Sequence, residues 1–154
     1  MDKTINNSTE KSTEKSTNNS IELLNFDNTA NVYIQDNKLF VTLYKTMNNK
    51  ELLKIFETLE NFYDVCKKKN KRFFFVVDLS SYIVDSDTYA LFKKSIKFLE
   101  KHRDFFKIHK ICSICILESS LVKVSLNLIL QIYTPIRPLK FFSSMKDIVY
   151  DDTL

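Results

Sequence analysis

The chain has 154 residues, a formal charge of +4 and not one glycine. Ordinary usage of ~7% would supply about 11. Their absence excludes a Walker P-loop, a dinucleotide-binding glycine fingerprint, a glycine-centred nucleophile elbow and an EF-hand loop, because each needs a backbone path that a Cβ obstructs. Trp is also missing and Pro occurs twice, while Lys, Asn, Ile and Phe abound, the skew an AT-rich genome produces. Tight turns must then fall to Asn and Asp, which tolerate positive φ best after Gly. Asp36-Asn37, Asn48-Asn49 and Asn70 stand where turns are wanted.

The length fits one domain, and 44% hydrophobic residues are ample for a core. No 18-residue stretch is free of charge, so no transmembrane segment is expected. The polar N-terminus lacks a secretory signal. Three cysteines are too few for a disulfide framework and suit a reducing compartment, so the expected location is cytoplasmic. The modest basic excess is not clustered as nucleic-acid binding would need, and no nucleic-acid partner is expected.

Residues 1–20 repeat Ser-Thr-Glu-Lys and hold little apolar material, which predicts a disordered polar tail; the folded domain is expected over 21–154. Val32 to Ile34 and Leu39 to Tyr44 read as strands of a hairpin turning at Asp36-Asn37-Lys38. Asn48 and Glu51 have capping-box spacing. Leu52, Ile55, Phe56, Leu59, Phe62, Tyr63 and Cys66 then recur at helical period, before a closing run of lysines at 67–69. That run reads as a solvated helix end; contact with phosphates is the sharper alternative.

Phe73 to Val77 is a continuous apolar strand ending on Asp78, the pattern of a sheet covered on both faces. A second helix is expected from Ser86 to Arg103 with Tyr89, Phe92, Ile96 and Leu99 inward, then a strand from Ile111 to Leu117. A third helix is expected from Ser120 to Tyr133. Lys123, Asn127 and Gln131 form its narrow polar stripe, and the rest is an unusually wide apolar surface to which Leu126 and Leu130 belong. Pro135 and Pro138 follow, then a short strand Leu139–Phe142 and a terminal helix capped at Ser144. The order ββαβαβαβα predicts an α/β fold, a mixed, mostly parallel sheet of about five strands with an N-terminal β-hairpin and about four helices.

The segment Asp78-Leu79-Ser80, a short apolar stretch, then Asp85-Ser86 opening a helix resembles the STAS family of anti-sigma-factor antagonists and sulfate-transporter C-terminal domains. The element order is similar over about residues 30–152. The resemblance implies a single STAS-like domain and a non-catalytic protein-interaction module, with Asp78, Ser80, Asp85, Ser86 and Asp87 as the interaction loop. It also implies that Ser86 is the phosphoacceptor through which a partner kinase modulates binding. A phosphate there would meet the positive end of the helix. Asp87 and Thr88 replace the second Ser and the Gly of the family pattern. On the residues alone, Ser86 reads first as a plain helix cap.

The end of the chain, from Ile116 through the third helix to Tyr133-Thr134-Pro135-Ile136-Arg137-Pro138, is similar to the last part of CRAL-TRIO lipid-binding domains. That similarity implies the alternative function, a small apolar-ligand or lipid-binding domain using Leu126 and Leu130. A homodimer stacked through the same surface would account for it without a ligand.

Other constellations fail. Cys112 and Cys115 have redox-pair spacing but lie within a strand, where i and i+3 face opposite sides. Cys66, His102 and His109 complete no second zinc knuckle. No catalytic residue, metal or cofactor is therefore expected. An enzyme would require His102 or His109 to meet Asp78 or Asp85.

Overall fold

A computed structural model describes residues 19–131 and 133–154. The expected tail lies, over residues 1–18, outside the described residues. The fold is α/β: β1 (Ser20–Asn25), β2 (Ala30–Gln35), β3 (Lys38–Leu43), α1 (Asn49–Lys69), β4 (Phe73–Asp78), α2 (Thr88–Lys101), α3 (Arg103–His109), β5 (Lys110–Ile116), α4 (Ser120–Leu130) and β6 (Leu139–Phe142). The strands stand in one six-stranded sheet in sequence order, β1 to β6. The first three pair antiparallel and the last four parallel.

Sequential order has a consequence. Every parallel crossover steps the same way, and right-handed crossovers then place every helix on one face. The core agrees. Leu39, Val41, Phe73, Phe75 and Cys115 pack with buried residues of all four helices. Phe40, Phe74, Val76, Cys112, Ile114 and Ile116 form a second cluster with no helix in it. The chain beyond β6 covers that face: Ile148, Tyr150 and Leu154 pack on it. Tyr150 meets the Phe74 ring edge-on at 5.1 Å, and Arg72 donates to the Leu154 carbonyl at 2.9 Å. The unalternating Phe73–Val76 run is thus buried on both sides, as its composition predicts.

The glycine-free turns are made as expected in two places. Asp36 (φ 53°) turns the β2–β3 hairpin and Asn70 (φ 49°) ends α1. Asn48 instead has φ −71° and serves as the cap of α1: its Oδ1 accepts from the Glu51 amide at 2.8 Å, and the Glu51 carboxylate accepts from the Asn48 amide. Asp27 (φ 41°) turns the chain between β1 and β2.

Four other expectations are corrected. A sixth strand, β1, precedes the hairpin and starts at Ser20. It is a mostly exposed edge strand with a register irregularity between Glu22 and Leu24, so it carries no alternation. The second helix is two, broken at His102, and starts at Thr88 rather than Ser86. Its phase buries Thr88 and Phe92 and turns Tyr89 outward. The third helix stops at Leu130. The terminal helix is only a 3-10 turn, Met145–Asp147, in which Ser144 accepts from the Lys146 amide; beyond it the chain extends over the sheet.

Candidate functional site

The loop after β4 is rigidly tied. Asp78 accepts from the Ser80 amide at 3.0 Å and the Ser80 hydroxyl at 2.6 Å. Farther on, the Ile83 amide donates to the Tyr44 carbonyl at 2.8 Å, fixing the loop to the end of β3. Asp85 then organises the entry to α2. Its carboxylate accepts from the Thr46 hydroxyl and, at 2.8 Å, from the Asp87 amide. The Thr88 hydroxyl accepts from the Asp85 amide at 2.9 Å and lies 3.1 Å from the buried Tyr82 hydroxyl. This reciprocal pattern is an Asx-type turn that leads the chain into α2. Hydrogen bonds, first that from Thr46, hold the Asp85 carboxyl below its ordinary value against the opposing effect of burial.

The cap expected at Ser86 is not formed: Asp87 holds the N-cap position of α2 without a side-chain capping bond, and Asp85 closes the turn that precedes it. Ser86 is exposed, and among the described residues its side chain makes no hydrogen bond. Asp85 and Asp87 are exposed on either side of it, and Ile83 and Tyr89 expose apolar surface nearby in the chain. Asp78–Ser80 and Asp85–Asp87 form two separate hydrogen-bonded turns within one loop.

A second feature lies under the helices. An apolar recess of about 130 Å³ separates α2 and α4 from the sheet. Phe75, Val77 and Leu139 form its floor, Phe92 and Leu99 one wall, and Leu126 and Leu130 the other. The two leucines marked as apolar candidates thus line one void together. A smaller recess of about 80 Å³ on the other side of α2 shares Leu43, Phe75, Val77, Ser95 and Leu99 with it. The outer side of α4 carries the polar stripe of Lys123, Asn127 and Gln131, all exposed. Leu121, Val124 and Leu128 are exposed as well, so the helix is apolar on two sides.

Lys110, the first residue of β5, closes one end of the larger recess. It is 2% exposed, and among the described residues its ammonium has no carboxylate within salt-bridge distance and no hydrogen-bond acceptor. Its nearest compensation is the face of Phe106, whose centroid is 4.2 Å away. Burial pushes its pKa from 10.5 down to about 8; Arg137 pushes the same way, and Cys112 opposes. Arg137 donates to the Lys107 carbonyl, yet its Nε is buried with no partner. Neither residue stands out in the sequence, because a lysine opening a strand and an arginine between two prolines both read as solvated. The distinguishing signal is the absence of a paired carboxylate, which only folding reveals.

The histidines meet other groups. His102 Nε2 is 3.1 Å from Glu60, whose carboxyl burial pushes up but which hydrogen bonds from Lys101 and His102 hold below its ordinary value. His109 Nδ1 is 2.9 Å from the Lys71 carbonyl. Cys112 and Cys115 lie in the opposite-face clusters, as strand geometry requires. Among the described residues no three His, Cys, Asp or Glu side chains are grouped to hold a metal, and no helix is long and apolar enough to cross a membrane. The chain matches no protein-family model, and no curated protein or solved structure is significantly similar to it.

Proposed function

We propose that this protein is a non-catalytic binding module that holds a small ligand with an apolar body in the recess between the sheet and α2 and α4. The observation that carries this reading is the void itself. Its lining is almost wholly apolar, and apolar surface left facing water is unfavourable by about 25 cal/mol per Å². A void near 130 Å³ approaches the ~150 Å³ engineered cavity that takes up benzene. Leu126 and Leu130 would contact the ligand from α4.

Native mass spectrometry of the protein purified from its own cells tests this. A non-covalent small-molecule mass is expected, and Leu126→Lys should reduce its retention at least tenfold. A folded L126K variant that keeps the same mass would overturn the site.

A second reading is favoured by the exposed Ser86. The loop from Asp78 to Asp87 would then be a STAS-like protein-interaction surface, with Ser86 as its phosphoacceptor. What supports it is that Ser86 is exposed and uncommitted while Asp85 holds the turn before α2, so modification would leave the helix start intact. Peptide mapping of the same preparation should find phosphate on Ser86. Full recovery of one partner complex by both wild type and Ser86→Asp would count against it.

A further inference from the structure

The recess has a polarity that apolar binding alone does not use. Its lining runs along β5 from Lys110 to Cys115, a span of six residues, or about 16 Å of strand. A void of about 130 Å³ along that length is narrow, with room for one alkyl chain and not for two. The body of the lining is hydrocarbon. At the Lys110 end stands a buried ammonium with no carboxylate within salt-bridge distance among the described residues. Burying a cation without a counter-charge is costly. An anion supplied from outside would relieve that cost through a charge-assisted hydrogen bond.

We propose that the ligand is a single-chain amphiphile whose anionic head, a carboxylate or a phosphate monoester, sits against the Lys110 ammonium while its alkyl chain lies under α2 and α4. The proposal rests on the cavity reading above and adds the head group and the direction of insertion. The head lies at the amino end of β5, where the Phe106 ring faces the Lys110 ammonium, and the tail points toward Leu79 and Phe141 at the carboxyl ends of the strands.

The test is titration of the wild-type protein with octanoate, octyl phosphate and octanol, followed by calorimetry and by the methyl resonances of Leu126 and Leu130. At least one anionic probe should bind tenfold or more tighter than octanol, and the tighter of the two identifies the head. All binding probes should shift both leucines. Lys110→Met should lower the affinity for the anionic probe at least tenfold and leave octanol within twofold. Octanol binding as tightly as both anions would overturn the head-group assignment and leave the cavity reading standing. Failure of all three probes to move the leucine methyls would overturn both. The wild-type comparison needs no variant, so a poorly folding K110M would not blunt it.

Discussion

At the carboxyl ends of β3 and β4, two aspartates collect nearly every donor within reach. Asp78 takes the amide and hydroxyl of Ser80, and Asp85 takes Thr46, the Asp87 amide and a weaker contact from Thr88. At the amino end of β5, Lys110 is more deeply buried and less well partnered, and just before β6 the Arg137 Nε is buried without a partner. Chain turns usually sit at the surface, where unmet polar groups find water; here the exposed loop is saturated and the buried pole is not. A saturated loop is a rigid platform. A buried cation without a carboxylate partner costs stability, and the contrast singles out the Lys110 end as the less compensated one.

The largest effect should come from removing that cation. The fall from 10.5 to about 8 at Lys110 corresponds to about 3 kcal/mol of unfavourable burial. Lys110→Met keeps the alkyl stem, so the ligand-free protein should gain about 3 kcal/mol in urea unfolding below pH 8. Between pH 8 and 10.5 the unfolded lysine is protonated and the folded one is not. Unfolding then takes up a proton, so rising pH favours the folded wild type and the gain from K110M shrinks toward zero. Buried thiols such as Cys66 and Cys115, whose pKa values burial raises to about 11 and about 12, act in the opposite sense. The readout is therefore the difference between variant and wild type across pH. A constant or negative difference would mean that Lys110 is already compensated and that the contrast is illusory.

The saturated loop should respond the other way. Thr88 is 1% exposed, and its hydroxyl meets both the Asp85 amide and the Tyr82 hydroxyl. Thr88→Val keeps the shape and strands those partners, at a cost of about 1–2 kcal/mol. Chemical denaturation of T88V measures it. A change near zero would show that the loop bonds are ornamental and that both ends of the strands are equally loose.

These two responses bear on what was legible in the sequence. Element order, the α1 cap and the doubly buried β4 were readable because each rests on local pattern: Asn48 to Glu51 spacing, helical recurrence from Leu52 to Cys66, five apolar residues in a row. The α4 surface was readable too, since its polar residues share one stripe. Strand β1 was not, because an exposed edge strand needs no apolar alternation. The C-terminal extension was misjudged because the pull on Ile148 and Tyr150 comes from Phe74 and Cys112, far away in the chain. Lys110 escaped notice for the same reason. Its charge is ordinary in the sequence and becomes unusual only when folding stacks α3, β5 and the segment carrying Arg137 around it. Asp78 and Asp85 could be picked out by motif, but the division of labour between Asp85 and Ser86 depends on the phase with which α2 begins.

The smallest stability effect should fall on Ser86, and its smallness is informative. Its side chain is exposed and carries no hydrogen bond among the described residues. Substitution there should stay within about 0.5 kcal/mol. Ser86→Glu adds a negative charge near the positive end of α2, which favours it, and beside Asp85 and Asp87, which oppose it. The two effects have similar size at an exposed site, so urea midpoints of wild type, S86A and S86E should nearly coincide. Coincidence keeps the loop available as a surface whose charge can change without cost to the fold. A loss above 1 kcal/mol in S86A would show that Ser86 is part of the cap after all, and the interaction reading would lose the observation that favours it.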